Sequence, residues 1–442
     1  MTAILALAFA ATLAAAPAPL PDPPPAGRGE GANLLTLEDA LARARAHPLT
    51  AESQALLAQA SARTREAFAA FLPAGNVSAT YSRATSNFAP SPGTQPGGGT
   101  NQAPRAETDI TSPFYSASVN VQVPIWDFGR TLGQVRAARA STSAAEADLS
   151  VTRQDVATQV RVAYFGALAA EALVKVADDT IAQMQKHLEF AKASFEVGRR
   201  TRFDVTRAEV DLSNARITKI QADNGVATSR AALSAAIGEP VGDARLEVRP
   251  QVEAPDPRPE EAAEHALRAR PELTALDLRQ RAAGASLDSA RSAWLPILSA
   301  AGQYAWRGQD FPLVRNWQVG ATLTWPFLNG GADAARVAEQ RGAVEQTQAA
   351  HAAEVLQVRA DAEQAAFAVI EAHARRDASH VLVAQAQENL ELAEGRYQAG
   401  VGSIVELTDA QAALTSARAQ QVRAGYDLET ARARLTRAIG ET

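Results

Sequence analysis

The sequence predicts a mainly α-helical chain with a β-barrel part, in which a helix–strand–strand–long helix–helix half occurs twice. Three observations predict it. First, the chain repeats itself. Phe195-Glu196-Val197-Gly198 returns as Tyr397-Gln398-Ala399-Gly400, and Pro124-Ile125-Trp126-Asp127-Phe128-Gly129 returns as Pro326-Phe327-Leu328-Asn329-Gly330-Gly331, both 202 residues further on. Second, each copy holds two segments in which apolar and polar residues alternate with the period of a strand. Third, each copy holds a very long proline-free run whose apolar residues step by four and three, as in a coiled coil. The unit is far longer than a solenoid repeat, so the chain is a duplicated half-molecule.

Earlier landmarks keep a different offset. Phe71-Leu72-Pro73 matches Trp294-Leu295-Pro296, and His47-Pro48 matches Arg270-Pro271, 223 residues on. The first copy therefore carries 21 extra residues, the difference of the two offsets, between Pro73 and Pro124. They fall in the Gly/Pro/Asn-rich stretch from Asn87 to Pro113, which reads as an enlarged surface loop. Both copies close on the same ending, Ala236-Ile237-Gly238-Glu239 and Ala438-Ile439-Gly440-Glu441. The halves are thus residues 34–238 and 259–442, joined by a segment at 239–258 rich in proline and charge.

Composition narrows the class. The absence of cysteine excludes disulfides, thiolate metal sites and a lipid-anchored N-terminal cysteine. A net charge of −6 without blocks of like charge gives no footprint for nucleic acid. Ile4 to Ala16 is an apolar run ending Ala14-Ala15-Ala16-Pro17, which reads as a signal peptide over residues 1–16, although the first basic residue is Arg28. A Pro-rich tether follows over 17–33. No later segment has the roughly 18 continuous apolar residues of a membrane-spanning helix.

In chain order, a helix opens near Thr36 or Pro259 and breaks at Pro48 or Pro271, where proline removes a hydrogen bond. Strands follow at about 74–126 and 297–326. Val119, Val121, Val123 and Ile125 face away from Ser118, Asn120 and Gln122. Trp317, Val319, Ala321, Leu323 and Trp325 alternate with Gln318, Gly320, Thr322 and Thr324, while Leu298, Tyr304 and Trp306 oppose Ser299 and Gln303, and Val77 and Tyr81 oppose Ser78 and Thr80. Such strands suit a membrane barrel. A soluble half-buried sheet fails because no apolar layer is left to cover it. Four strands cannot close a barrel, which needs about eight, whereas three chains supply twelve.

The long helix runs from about Arg130 to Val197, roughly 100 Å at 1.5 Å per residue. Its seam is Val156, Val160, Ala163, Ala167, Ala170, Val174, Ala177, Ile181, Met184, Leu188, Ala191 and Phe195, and a second stripe through Phe165, Leu168 and Val176 implies neighbours on two sides, as in a wall. The second copy keeps the seam from Val358 to Tyr397, interrupted at Arg376 and Ser379. Asp127 and Asn329 are expected N-caps, with Gly129 and Gly330 turning the chain. The shorter helices before the strands and after the turn (about Asp204 to Ile237) match one long helix when stacked end to end.

With these duplicated motifs in register, the chain resembles the TolC family of outer-membrane efflux and secretion ducts over nearly its whole mature length. The resemblance implies a homotrimer in the outer membrane, with a 12-stranded barrel in outer-membrane lipid and an α-helical barrel extending through the periplasm. An equatorial girdle would include 239–258. It implies passive conduction for an inner-membrane pump of RND or ABC type, reached through a periplasmic adaptor. The tips at about 198–204 and 400–406 resemble the ends that close the duct and meet the adaptor, which assigns Val197, Gly198, Arg199, Arg200, Gly400, Val401, Gly402 and Ser403 as contact residues. By the same resemblance Asp204 accepts a closing hydrogen bond from Tyr397, and Glu406 and Asp409 form carboxylate rings that favour cations. Gly402 stands where the family's efflux archetype has an arginine that ties the tip shut, so the closed state is expected to be held less firmly, or by Arg199, Arg200 or Arg202 from the other tip. The rival reading is a soluble periplasmic coiled-coil scaffold or adaptor, which accounts for the heptads but not for the strands. The six scattered histidines form no metal motif, and no nucleophile or phosphate loop stands in its required context, so no catalytic residue, metal or cofactor is expected.

Overall fold

The computed structural model describes residues 34–85, 111–248 and 255–441. The signal peptide and tether, most of the Asn87–Pro113 loop and the middle of the 239–258 segment lie outside the described residues. In order, the elements are β1 (Leu34–Leu35), α1 (Leu37–Arg43), α2 (Pro48–Ala69), β2 (Ala74–Thr85), β3 (Thr111–Trp126), α3 (Arg130–Glu196), α4 (Arg202–Ile237), β4 (Arg245–Leu246), α5 (Pro259–Ala269), α6 (Pro271–Arg291), β5 (Ile297–Gly308), β6 (Val314–Thr324), α7 (Ala332–Gln398) and α8 (Ile404–Ala438). The expected order therefore appears in both halves, and α3 and α7 are each 67 residues long.

The wall follows from the seams. α3 packs on α2, α4, α6 and α8, while α7 packs on α5, α6 and α8. Across the wall the upper order is α2-α3-α6-α7 and the lower order α4-α3-α8-α7. Small residues set the spacing: a Cβ on Gly133 of α3 would lie 2.8 Å from Ser289 Cβ of α6. Arg376 and Ser379, the expected interruptions, are buried and satisfied locally. Ser379 donates to the Arg376 carbonyl at 2.6 Å, and the Arg376 guanidinium turns to Asp377 at 2.8 Å.

The half-length helices stack at two joints built from the repeated proline and glycine. Gly238, at φ +87°, ends α4 against His47 and Pro48 at the start of α2. Gly440, at φ +84°, ends the second half against Ala269 and Arg270 beside α6. At the first joint His47 caps α2, accepting the Leu49 N–H through Nδ1 and reaching the Ala235 carbonyl through Nε2 at 3.2 Å, which puts its proton on Nε2. Between the halves β1 pairs in parallel with β4. There the buried Tyr164 hydroxyl lies 2.9 Å from the carbonyls of Leu35 and Glu247 and accepts the Glu247 N–H at 3.0 Å. Tyr164 sits midway along α3, so this cluster lies at mid-height of the helical wall.

The sheet has the order β2-β3-β5-β6, antiparallel throughout, and is open. Cross-strand register places Val77, Val119, Tyr304 and Trp317 in one row on one face, and Asn76, Asn120, Gln303 and Gln318 in the next row on the other. One correction arises at the end of β3. A bulge between Pro124 and Trp126 pairs Trp126, not Ile125, with Leu298, so the apolar face passes from odd to even positions. The N-caps also differ from expectation: Gly129 and Gly331 occupy the cap positions, both with positive φ. Asp127 still accepts the N–H groups of Gly129 and Thr131 at 3.1 and 2.7 Å, whereas Asn329 donates its amide to Asp333 instead of capping.

Candidate functional site at the helix tips

The two hairpins α3–α4 and α7–α8 end in the same turn. Gly198 and Gly400 take φ +73° and +83°, which a side chain opposes. Arg199 N–H returns to the Ser194 carbonyl at 2.9 Å, and Val401 N–H returns to the Arg396 carbonyl at 3.1 Å, so each long helix closes in a Schellman motif. Thr201 and Ser403 then cap α4 and α8.

From that shared frame the tips diverge. Asp204 is 8% exposed, and its Oδ2 accepts the backbone N–H and hydroxyl of Thr201 at 3.0 and 3.1 Å, a capping box. The counterpart Glu406 keeps only its backbone in the cap, donating N–H to Ser403 Oγ at 3.1 Å. Its exposed carboxylate lies 3.4 Å from Arg396. Asp409 is exposed one turn further along the same helix.

The expected Tyr397-to-Asp204 hydrogen bond is not formed. Asp204 is engaged with its own cap, and the buried Tyr397 hydroxyl has no hydrogen-bond partner. Instead the Arg200 guanidinium sits 3.9 Å from the Tyr397 ring centroid and donates to the Tyr397 carbonyl, while Phe190 of α3 lies against the ring at 5.9 Å between centroids. Burial pushes the Tyr397 phenol above its usual pKa, with Arg200 partly offsetting this. Arg200 thus ties the first tip to the second within one chain. Of the three arginines expected to substitute for the one absent at Gly402, Arg200 makes this contact. Gly402 itself has no room: a Cβ there would lie 3.0 Å from the Arg396 and Tyr397 backbone.

Sequence reasoning missed Phe190, Arg396 and the edges of the wall. α4 carries Phe203, Val210, Ile217 and Ile220 exposed, opposite the Ala208, Leu212 and Ala215 face that packs on α3. α7 likewise exposes Phe367, Val381 and Leu392 opposite the Ala386, Leu390 and Ala393 face that packs with α8. The seven-residue spacing of Phe203, Val210 and Ile217 was the available signal.

The sheet carries the membrane chemistry. Aromatic pairs Tyr81–Tyr115 and Tyr115–Phe311 stand at its outer end, and Trp126–Phe128 and Trp325–Phe327 at the end nearest the helices. From Tyr115 to Trp126 is roughly 36 Å of strand, or about 28 Å of height at the usual barrel tilt, close to the apolar band of an outer-membrane barrel. Among the described residues no helix is long and apolar enough to cross a membrane.

Amphipathic strands and a helical wall in one chain define an outer-membrane duct subunit. The chain belongs to the outer membrane efflux protein family, whose model matches residues 37–239 and 262–441. It is similar to the toluene efflux pump outer membrane protein TtgC of Pseudomonas putida, 25% identical over 77% of this chain and 72% of that one. A shorter match, 32% identical over 29% of this chain and 28% of the relative, is to the outer membrane efflux protein BepC of Brucella suis. The fold is that of the Campylobacter jejuni CmeC outer membrane channel, with TM-score 0.80 and 18% identity over 91% of this chain and 85% of that one. The family match removes the soluble-scaffold reading and places the chain in the outer membrane.

Proposed function

We propose that three copies of this chain form a closed duct, joined at a periplasmic tip to an adaptor and through it to an inner-membrane pump of RND or ABC type. The observation that carries this is that one chain ends in unpaired edges at both levels. β2 and β6 are the free edges of the sheet, and every residue of β6 is exposed, with Trp317 at 76%. An exposed apolar sheet edge is otherwise an aggregation hazard, and closure removes it. In the helices α4 and α7 are the corresponding edges. Val210 lies about 12 Å from the tip end of α4 and Leu392 about 9 Å from that of α7, while Ile220 and Val381 both lie about 26 Å away. The two apolar stripes therefore meet at heights that agree within about 3 Å when α4 of one chain packs beside α7 of the next.

At the tips, the turns Val197 to Arg200 and Gly400 to Ser403 form the adaptor contact, with Val197 and Phe203 offering exposed apolar surface. Arg200 on Tyr397 holds the second hairpin against the first. Glu406 and Asp409, exposed beyond the turn, become rings of carboxylates in a trimer, which attract cations and repel anions. Planar-bilayer recording tests this. Glu406→Gln with Asp409→Asn reduces cation selectivity, and an unchanged reversal potential would show that these carboxylates are only solvated surface.

A further inference from the structure

Away from the tips and the barrel, a crevice of about 540 Å³ opens between α1, α2 and α3 beside the first joint. Arg45, Arg153 and Arg161 line it with Thr50 and Gln54. None of the three arginines lies within 4.0 Å of a carboxylate among the described residues. Arg153 and Arg161 stand four residues either side of Ala157, so one face of α3 presents two guanidinium groups over a small-residue notch. Thr50 is 2% exposed, lines the crevice and makes no side-chain hydrogen bond among the described residues. It belongs to the first turn of the 22-residue α2, whose positive dipole end adds to the basic field.

The duplication supplies an internal control. At the matching place in the second half, Leu273 replaces Thr50, Val355 replaces Arg153 and Glu363 replaces Arg161. Leu273 and Val355 there join an apolar cluster with Ala263, Ala266, Val358 and Ala362. At one spot of an otherwise repeated frame the first half thus carries two arginines and a hydroxyl where the second carries two apolar residues and a glutamate. Burial holds the Arg161 guanidinium below its usual pKa, with no neighbouring carboxylate to offset the cost.

We propose that this crevice is an anion site for a compact oxyanion of two or more charges, a phosphate or a polycarboxylate, gripped by Arg153 and Arg161 with Thr50 as hydroxyl donor. Paired guanidinium forks suit such oxygens. The purified full chain in detergent is titrated calorimetrically with inorganic phosphate and, separately, citrate, at ionic strength held constant with sodium chloride. Saturable heat with one or both anions is expected, and the stronger binder identifies the class of oxyanion. Arg153→Gln with Arg161→Gln weakens that binding about tenfold or more. Thr50→Val weakens it roughly threefold. Arg359→Gln, at the second-half position matching Ala157, leaves it unchanged. Heats that never saturate, or a double variant that binds as tightly as the parent, overturn the proposal. So does a parent that ignores both anions while the double variant loses its assembly on size exclusion, since the arginines then serve a neighbouring chain's carboxylate.

Discussion

The two tips begin from one turn and end in different chemistry. In the first, Asp204 is folded into its own helix cap and the exposed groups include Arg199, Arg202, Phe195, Val197 and Phe203. In the second, Tyr397, Ile404, Leu407 and Ala410 close a buried core, and the exposed groups include the acids Glu406 and Asp409 beside Val401 and Val405. What the copies share (the Schellman glycine, the Ser/Thr cap, the long helix) is scaffold. What they do not share is where function was added. The joints repeat the lesson. The first is held by His47 on a carbonyl, while the second is an ionic network in which Arg437 reaches Asp155 at 2.6 Å and Glu272, and Arg270 reaches Asp361 at 3.2 Å.

The comparison is broken most severely at the joints. Gly440→Ala puts a Cβ 2.8 Å from the Ala269 carbonyl carbon at a positive φ, and backbone cannot yield cheaply. It should cost about 2–3 kcal/mol. Gly238→Ala meets the His47 ring and the Pro48 ring instead, at 3.0 and 3.1 Å, and should cost about 1–2 kcal/mol. Thermal melting of the two variants checks the order; equal losses would show that the joints are interchangeable.

Next comes the clamp. Arg200→Ala should raise single-channel conductance in planar bilayers several-fold, since it removes both the ring contact and the carbonyl bond. Arg199→Ala, on the same turn, should leave conductance at the parental value. A smaller effect distinguishes the acids. Asp204→Asn should loosen the first turn of α4 by about 1 kcal/mol, read as faster amide exchange there. Glu406→Gln should leave exchange in α8 unchanged, because its carboxylate takes no part in the cap.

The smallest effect is with pH. His187 of α3 lies 3.5 Å from Glu394 of α7, and Asp179, Lys186 and Arg418 line the same crevice. Burial lowers the His187 pKa below 6.5, more than Glu394 raises it. The folded state therefore prefers the neutral ring, so this stability is complete above about pH 6.5 and lost as pH falls toward the lowered folded value. His187→Gln should flatten the fall in melting temperature between neutral pH and about pH 5 relative to the parent.

Much of this was legible in the residues. The proline breaks, both 67-residue helices, the four strands and the glycine turns are local signals, written twice in register. The exceptions are instructive. The bulge at Pro124–Trp126 depends on the partner strand β5, which period-two counting along β3 does not register. The failure of Asp204 to meet Tyr397 reflects a competition won by the nearer partner, Thr201, three residues away. Arg200 is one of three candidates, but choosing it required the contact of Tyr397, at the end of α7, with the first tip across the duplication. Residue pattern gave the wall and its seams; which side chain crosses from one copy to the other is decided by tertiary geometry.

The central claim is that the two free edges of one chain are complementary and close on further copies. The chain has no cysteine, so an introduced pair reports without interference. Val210→Cys with Leu392→Cys, on opposite edges of the same chain at heights above the tip that agree within about 3 Å, should on mild oxidation give a covalent trimer on a non-reducing gel. Either single variant should remain monomeric under the same treatment. A double variant that stays monomeric while its thiols remain freely reactive would contradict the account.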